Sequence, residues 1–333
     1  MNFLNSLLLS IMRAIHTVIN NYALTIIIFT LLIKLVVMPL NLKSRRSTMR
    51  MSSVQPKLKA LQDKYKDDQE KLNQKMQELY RKEGISPLGG CLPMIISMFI
   101  LFAMFYALRT FANEQLVTQF LTFYHHPDID PATLTDSFFW IRNLWMPDSP
   151  FATYLPDVQS LRLVDFKVWN DISAKLAASG VIPQALQFAD ASAMTAYIND
   201  VVAPFIASDV YAPYVAAMPG LGNLSILGLI HFTIYQFGNG WFVLPILSVA
   251  TQLLMQKLTM QQQQMDPSQA GTQKTMLYVM TFMSLYFCAI YNAAFALYWV
   301  VSNVYAIVEQ IAFNKYFELQ DRKAANAEEV GLL

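Results

Sequence analysis

The stretch YALTIIIFTLLIKLVVMPLNL, residues 22–42, decides the fold. It carries a single charge, Lys34, in a run otherwise built from aliphatic and small side chains. About 20 consecutive apolar residues at a rise of 1.5 Å each match the ~30 Å hydrocarbon core of a bilayer. The stretch therefore reads as a transmembrane helix, and the rest of the chain falls into place around it.

Further apolar runs follow at 87–108, which has no charge, at 241–256 and at 276–308. The last is too long for one span, and Asn292-Ala293-Ala294 is the natural place for it to turn. The reading is an all-α polytopic membrane protein with five transmembrane helices, at 21–42, 87–110, 241–257, 275–291 and 295–313.

Composition agrees. Of 333 residues, 55% are hydrophobic and 14% charged, against about 25% charged in soluble domains. Such apolar content excludes disorder for most of the chain. The 24 basic and 23 acidic side chains leave a net charge of +1, which argues against phosphate-driven or sequence-specific nucleic-acid binding. Cys91 and Cys288 both sit in apolar runs, so neither a disulfide framework nor a cysteine metal site is expected.

Orientation follows from lysine and arginine placement. Residues 43–86 hold twelve basic and six acidic residues, whereas 114–240 hold four basic and eleven acidic ones. The first segment faces the cytoplasm and the second faces outward, giving an N-out, C-in topology. The loop at 258–274 and the tail at 314–333 then lie inside.

Residues 1–20, with Leu4, Leu7, Leu8, Ile11 and Ile15 beside Arg13 and His16, read as an interfacial amphipathic helix. The competing reading is a signal peptide, but its basic leading region and small-residue cleavage pattern are missing. In 43–86, Met51, Val54, Leu58, Leu61 and Tyr65 recur at helical spacing, and Leu72, Met76 and Leu79 do the same. Lys66-Asp67-Asp68 interrupts the two stripes, so a cytoplasmic helical hairpin is predicted. The outward segment, 111–240, is long enough to pack as a domain. Within it, 223–237 is apolar and reads either as interfacial or as leading into the third span. The glutamine-rich stretch 260–267 reads as a flexible cytoplasmic loop.

Enzyme signatures are missing: there is no H-E-x-x-H, no G-x-S-x-G and no P-loop. The four scattered histidines do not suggest a metal site. No catalytic residue, metal or other cofactor is expected.

Lys34 is the informative residue. It lies twelve residues after Tyr22, about 18 Å along a helix, where a lysine costs about 2.5–3.5 kcal/mol on insertion scales. Either its stem snorkels to the inner headgroups, or its charge faces a hydrated cavity between helices. No acidic residue lies in the core of a span, and Glu309, near the end of the fifth, is several turns away. Thr30 shares the Lys34 face. Ser97, Gln252, Gln256, Ser302 and Asn303, with Tyr298 and Trp299, would line such a seam. Each alone is more often an interhelical hydrogen bond than a site.

Several stretches together resemble the YidC/Oxa1/Alb3 membrane protein insertases. Lys34-Leu35-Val36-Val37-Met38-Pro39-Leu40 resembles the first core span, while Gln55-Pro56-Lys57-Leu58-Lys59 and Asp68-Gln69-Glu70-Lys71-Leu72-Asn73-Gln74 resemble the cytoplasmic hairpin. Pro87-Leu88-Gly89-Gly90-Cys91-Leu92-Pro93 is similar to the approach to the second span, and Leu297-Tyr298-Trp299-Val300-Val301-Ser302-Asn303 to the last span. The matches come in order over 22–110 and 241–313. The resemblance implies a bundle around a hydrophilic groove, open to cytoplasm and lipid, with a basic residue inside it. Lys34 matches that residue, and Thr30, Ser97, Gln252, Gln256 and Trp299 match groove positions. It also implies a bacterial plasma (inner) membrane protein that inserts nascent membrane proteins. The ribosome, the Sec translocon and membrane lipid are its implied partners. A small-solute transporter or channel is the alternative, although the chain shows no internal repeat.

Three departures stand out. Ser97-Met98-Phe99 stands where many relatives have Gln-Met-Pro, and Asn292-Ala293-Ala294 replaces a proline- and glycine-containing turn. The insertion at 111–240 is much longer than is typical of the family.

Overall fold

The computed structural model describes residues 2–84, 92–220, 223–226, 230–260 and 267–331. Helices dominate. In chain order they are α1 (Asn2–Ile19), α2 (Tyr22–Lys64), α3 (Gln69–Lys82), α4 (Leu92–His125), α5 (Val158–Arg162), α6 (Phe166–Ala178), α7 (Ala191–Tyr197), α8 (Ala203–Ile206) and α9 (Ala212–Val215). The antiparallel strands β1 (Asn223–Ile226) and β2 (Ile230–Thr233) follow, then α10 (Val243–Met260), α11 (Pro267–Ile290) and α12 (Ala293–Gly331).

Tyr22–Ser47 of α2, at mean hydropathy 2.5, and Ala293–Gln320 of α12, at 1.3, are long and apolar enough to cross a membrane. Shorter apolar stretches are Val243–Thr259 and Leu277–Ile290. The helices depart from the predicted boundaries in three places. α4 continues to His125 rather than stopping near 110, because Leu116, Val117, Phe120 and Leu121 keep supplying a buried helical stripe. α11 begins at Pro267, inside the predicted loop, and proline suits the first position of a helix. The apolar 223–237 segment contains the β1–β2 hairpin, so the fold is not purely helical. Residues 261–266 of the glutamine-rich loop and Pro87 to Cys91 lie outside the described residues.

Two compact units are present. The first comprises Met1–Phe29, Ala103–Ser248 and Leu285–Trp299. Its spine is the second half of α4, whose Phe120 and Phe123 meet Trp169 of α6, Phe205 of α8 and Tyr211 at ring-centroid distances of 5.5–6.4 Å. Trp169 and Tyr211 are fully buried, and the Tyr211 hydroxyl donates to the Pro156 carbonyl at 2.6 Å. Leu8 and Met12 of α1 are buried in the same unit, and Arg13 forms a 2.6 Å ion pair with Glu114 of α4.

The acidic excess of this region has structural work. Asp130, Asp157, Asp165 and Asp190 each accept a backbone N–H at the start of a helix, satisfying donors that helix geometry leaves free. Asp136 and Asp148 accept the indole N–H groups of Trp145 and Trp140.

The second unit comprises Thr30–Phe102, Val249–Ser284 and Val300–Leu333. Here α2 and α3 form the helical hairpin. Val54 and Leu58 are its buried core, packed against Met76, Leu79 and Tyr80. Asp68 caps α3 by accepting the Lys71 N–H at 3.0 Å. The turn falls at 65–68, where charge interrupts the apolar stripes.

Candidate functional site: a polar seam along α2, α10, α11 and α12

Lys34 lies on α2 in the second unit, neither fully buried nor fully exposed. Among the described residues no carboxylate is within ion-pair distance of it. Its electrostatic neighbour is Glu309 of α12. That carboxylate is held by Asn41, whose side-chain amide donates to both oxygens at 3.1 and 3.2 Å. Asn41 follows Lys34 by seven residues, so the two share one face of α2, about 10 Å apart. Further along, Arg45 donates to Asn314 at 3.4 Å and stacks on Phe313 at 5.7 Å.

A second polar strip joins the other helices. Asn303 of α12 donates to the Thr251 hydroxyl on α10 at 3.1 Å. Thr281 of α11 donates to Gln256 of α10 at 3.5 Å. Gln252 and Ser302 are half-buried in this unit, and Thr30 is 1% exposed. Ser97 is on α4, but its side chain lies outside those described. Hydrogen bonds between hydroxyls and amides in an apolar bundle contribute roughly 0.6 kcal/mol each. Their larger consequence is to place unhydrocarbon-like groups along particular helix faces.

Tyr298 and Trp299 belong to the first unit instead. There, Phe295 packs on both at 6.2 and 5.7 Å, and on Phe105 at 5.5 Å. Tyr298 is buried in this aromatic cluster, and the Trp299 indole N–H is buried without a partner among the described residues.

Reasoning from the sequence passed over Asn41, Thr251 and Thr281. The seven-residue step from Lys34 to Asn41 was the available signal for the first. It also missed how the first unit ties helix ends together. Ala293 and Ala294, the first residues of α12, donate their N–H groups to the carbonyls of Met146 and Leu144, both at 2.9 Å. Asn292 caps the same helix through the Phe295 N–H at 2.9 Å. The small, fully buried Ala293 and Ala294 let that loop approach, which explains why this turn works without proline or glycine. Asp148, fully buried, accepts the N–H groups of Trp241 and Leu244 at 3.0 and 2.7 Å and so caps α10. Asn143, Asn239 and Gln119 complete a buried network around it.

Two helices long and apolar enough to span a bilayer, one of them carrying Lys34, and polar side chains matched across helices fit a mostly helical membrane protein. The profile of the 60Kd inner membrane protein family, the YidC/Oxa1/Alb3 group, matches residues 14–321, and the chain belongs to that family. It is 41% identical over 156 residues, 46% of this chain, to the membrane protein insertase YidC of Chlorobaculum tepidum. It is 29% identical over 89% of its length to the YidC of Chlorobium luteolum, and 27% identical over 97% to that of Pelodictyon phaeoclathratiforme. Those matches cover 23%, 33% and 38% of the relatives' own lengths, so the chain spans well under half of each.

Proposed function

We propose that this chain is a membrane protein insertase and chaperone of the bacterial plasma membrane. It spans five times, N-out and C-in, through the apolar parts of α2, α4, α10, α11 and α12. Its working surface is a hydrated groove, to which we assign Lys34, Thr30, Ser97, Gln252, Gln256, Tyr298, Trp299, Ser302 and Asn303. Membership of the family supports this reading. The observation that carries it is a lysine in an apolar helix whose interacting carboxylate, Glu309, is hydrogen-bonded by Asn41 and not ion-paired to the lysine.

Such a lysine attracts an acidic substrate tail with no ion pair to break, only the longer-range pull of Glu309 to match. Polar side chains lining the groove lower the cost of bringing polar substrate groups to mid-depth, where an unsatisfied group costs several kcal/mol. The substrate's apolar helix then leaves sideways into lipid. The α2–α3 hairpin receives the chain at the cytoplasmic side, alongside a ribosome or a secretion channel. No covalent chemistry is required.

Photo-crosslinking tests the reading. Probes at 34 and 252 should label a nascent single-spanning protein several-fold more strongly than probes at the exposed positions 36 and 308. Equal labelling from all four would overturn the groove.

A further inference from the structure

The outward region is acidic, with only four basic residues between 114 and 240. Two of those four, Arg162 and Lys167, line one cleft of about 640 Å3 in the first unit together with Arg109. All three are exposed. Arg162 donates to the neutral amide of Asn199 at 2.8 Å and forms no ion pair among the described residues. Arg109 and Lys167 form no ion pair among the described residues. The one carboxylate in the lining, Asp165, already accepts the backbone N–H of Lys167 as the cap of α6. Three cations therefore line one cleft in a region whose other charges are mostly acidic, and none of them forms a salt bridge among the described residues.

Position adds the second constraint. Arg109 is the first charged residue of α4, directly after the charge-free run 87–108. Tyr106, one turn earlier, lines the same cleft and is 49% exposed, and Leu163 beside it is 66% exposed. A cationic cleft with an exposed apolar flank at the end of a spanning run suits an amphiphile with an anionic head. A second cavity, of about 470 Å3, shares Arg109, Asn113 and Leu163 with the first. It is lined by Thr153, whose hydroxyl is buried without a partner among the described residues. An uncharged hydroxyl of the same ligand would satisfy it.

We propose that Arg109, Arg162 and Lys167 bind an anionic phosphate ester, supplied as the headgroup of an outer-leaflet phospholipid. Arginine and lysine are the usual partners of such groups, and each cation near a membrane surface is worth about fivefold in affinity for anionic lipid. The inference rests on the reading that α4 crosses the membrane with Arg109 at its outer border.

The test is titration of the purified full chain in neutral detergent, followed by native mass spectrometry. Phosphatidylglycerol should bind at least tenfold more tightly than phosphatidylcholine. Arg109→Gln should weaken it about fivefold, and R109Q/R162Q/K167Q should abolish the preference. Lys175→Gln, an equal change of charge at an exposed site outside both cavities, should have no effect. Water-soluble glycerol 3-phosphate should fail to compete at equal concentration. Equal binding of phosphatidylglycerol by the wild type and the triple variant would overturn the site. Full competition by glycerol 3-phosphate would overturn the lipid as its source. Either result would leave insertion by the same protein untouched, so failure here is separable from failure of the insertase reading.

Discussion

Lys34 and Glu309 set the chemistry of the seam between them. Two opposite charges that are near but not paired interact by a few kcal/mol at most when the effective dielectric is about 20. Asn41 sharpens this by binding the carboxylate from the α2 side, so Glu309 is oriented toward the amide. On the proposed reading, Glu309 competes for the lysine and an incoming acidic residue must match it. Glu309→Gln removes the competing charge while keeping an oxygen for Asn41. Crosslinking of an acidic-tailed substrate from position 34 should rise about fivefold, equivalent to roughly 1 kcal/mol. A fall in crosslinking would show that the carboxylate assists binding instead. The lysine itself was legible in the sequence because a charge in an apolar run has no cheap structural explanation. Glu309 was visible only as a distant acidic residue. Its tether was not, because an asparagine near the end of a span has many ordinary uses.

At the scale of elements, the helix ends are where the design shows most clearly. The 143–148 loop caps α10 through Asp148 and α12 through the carbonyls of Leu144 and Met146. Gly240 passes so close that a Cβ there would collide with the Asp148 carboxylate, and a Cβ at Gly238 would meet Pro150 Cα at 2.9 Å. Asp148→Ala leaves the buried Leu244 N–H, the part-buried Trp241 N–H and the Trp140 indole without their acceptor, which should cost about 1–3 kcal/mol for the buried group and less for the others. Thermal unfolding in detergent should show the midpoint falling by several degrees for Asp148→Ala and for Gly240→Ala. An unchanged midpoint would remove the capping role.

The docking of α1 carries its own pH dependence. His16 stacks on Tyr22 at 3.7 Å, and its Nδ1 is buried without a partner among the described residues. Burial lowers the His16 pKa, opposed by the Asp136 carboxylate. The folded state thus favours the neutral ring, so its contribution is fully present above the ordinary imidazole value, near 6.5. It is lost as pH falls through the folded value. Asp136, whose own pKa is raised by burial, carries the opposite sign and gains from acidification, which is why the His16→Gln comparison is needed. Amide exchange in residues 5–19 of α1 should therefore quicken from pH 7.5 to 5.5 relative to α4, and should not do so in His16→Gln. Equal behaviour of the two proteins would contradict this assignment. Sequence alone gave the amphipathic character of α1 but not its anchorage, because Arg13–Glu114 and His16–Tyr22 join positions that only the fold brings together.

Across the whole molecule, the helical character of the apolar runs and the α2–α3 hairpin were legible because hydrophobic period and charge segregation act locally. The outward region was not. Its acidic residues served in the sequence only to set orientation, yet six of them cap helices or hold tryptophans. Its core depends on α4 continuing past the membrane-length run, a continuation set by contacts from Trp169 and Tyr211 rather than by local pattern. The functional account, by contrast, returns to one residue. Purified protein in vesicles, with Lys34→Arg and Lys34→Glu compared on a substrate with an acidic outward tail and on its neutral-tailed twin, tests it most directly. Lys34→Arg should insert the acidic-tailed substrate at a rate within about twofold of the native protein, and Lys34→Glu at least tenfold more slowly, a difference of roughly 1.4 kcal/mol. The neutral-tailed substrate should insert equally with both. Equal insertion of the acidic-tailed substrate by the two variants would contradict the account.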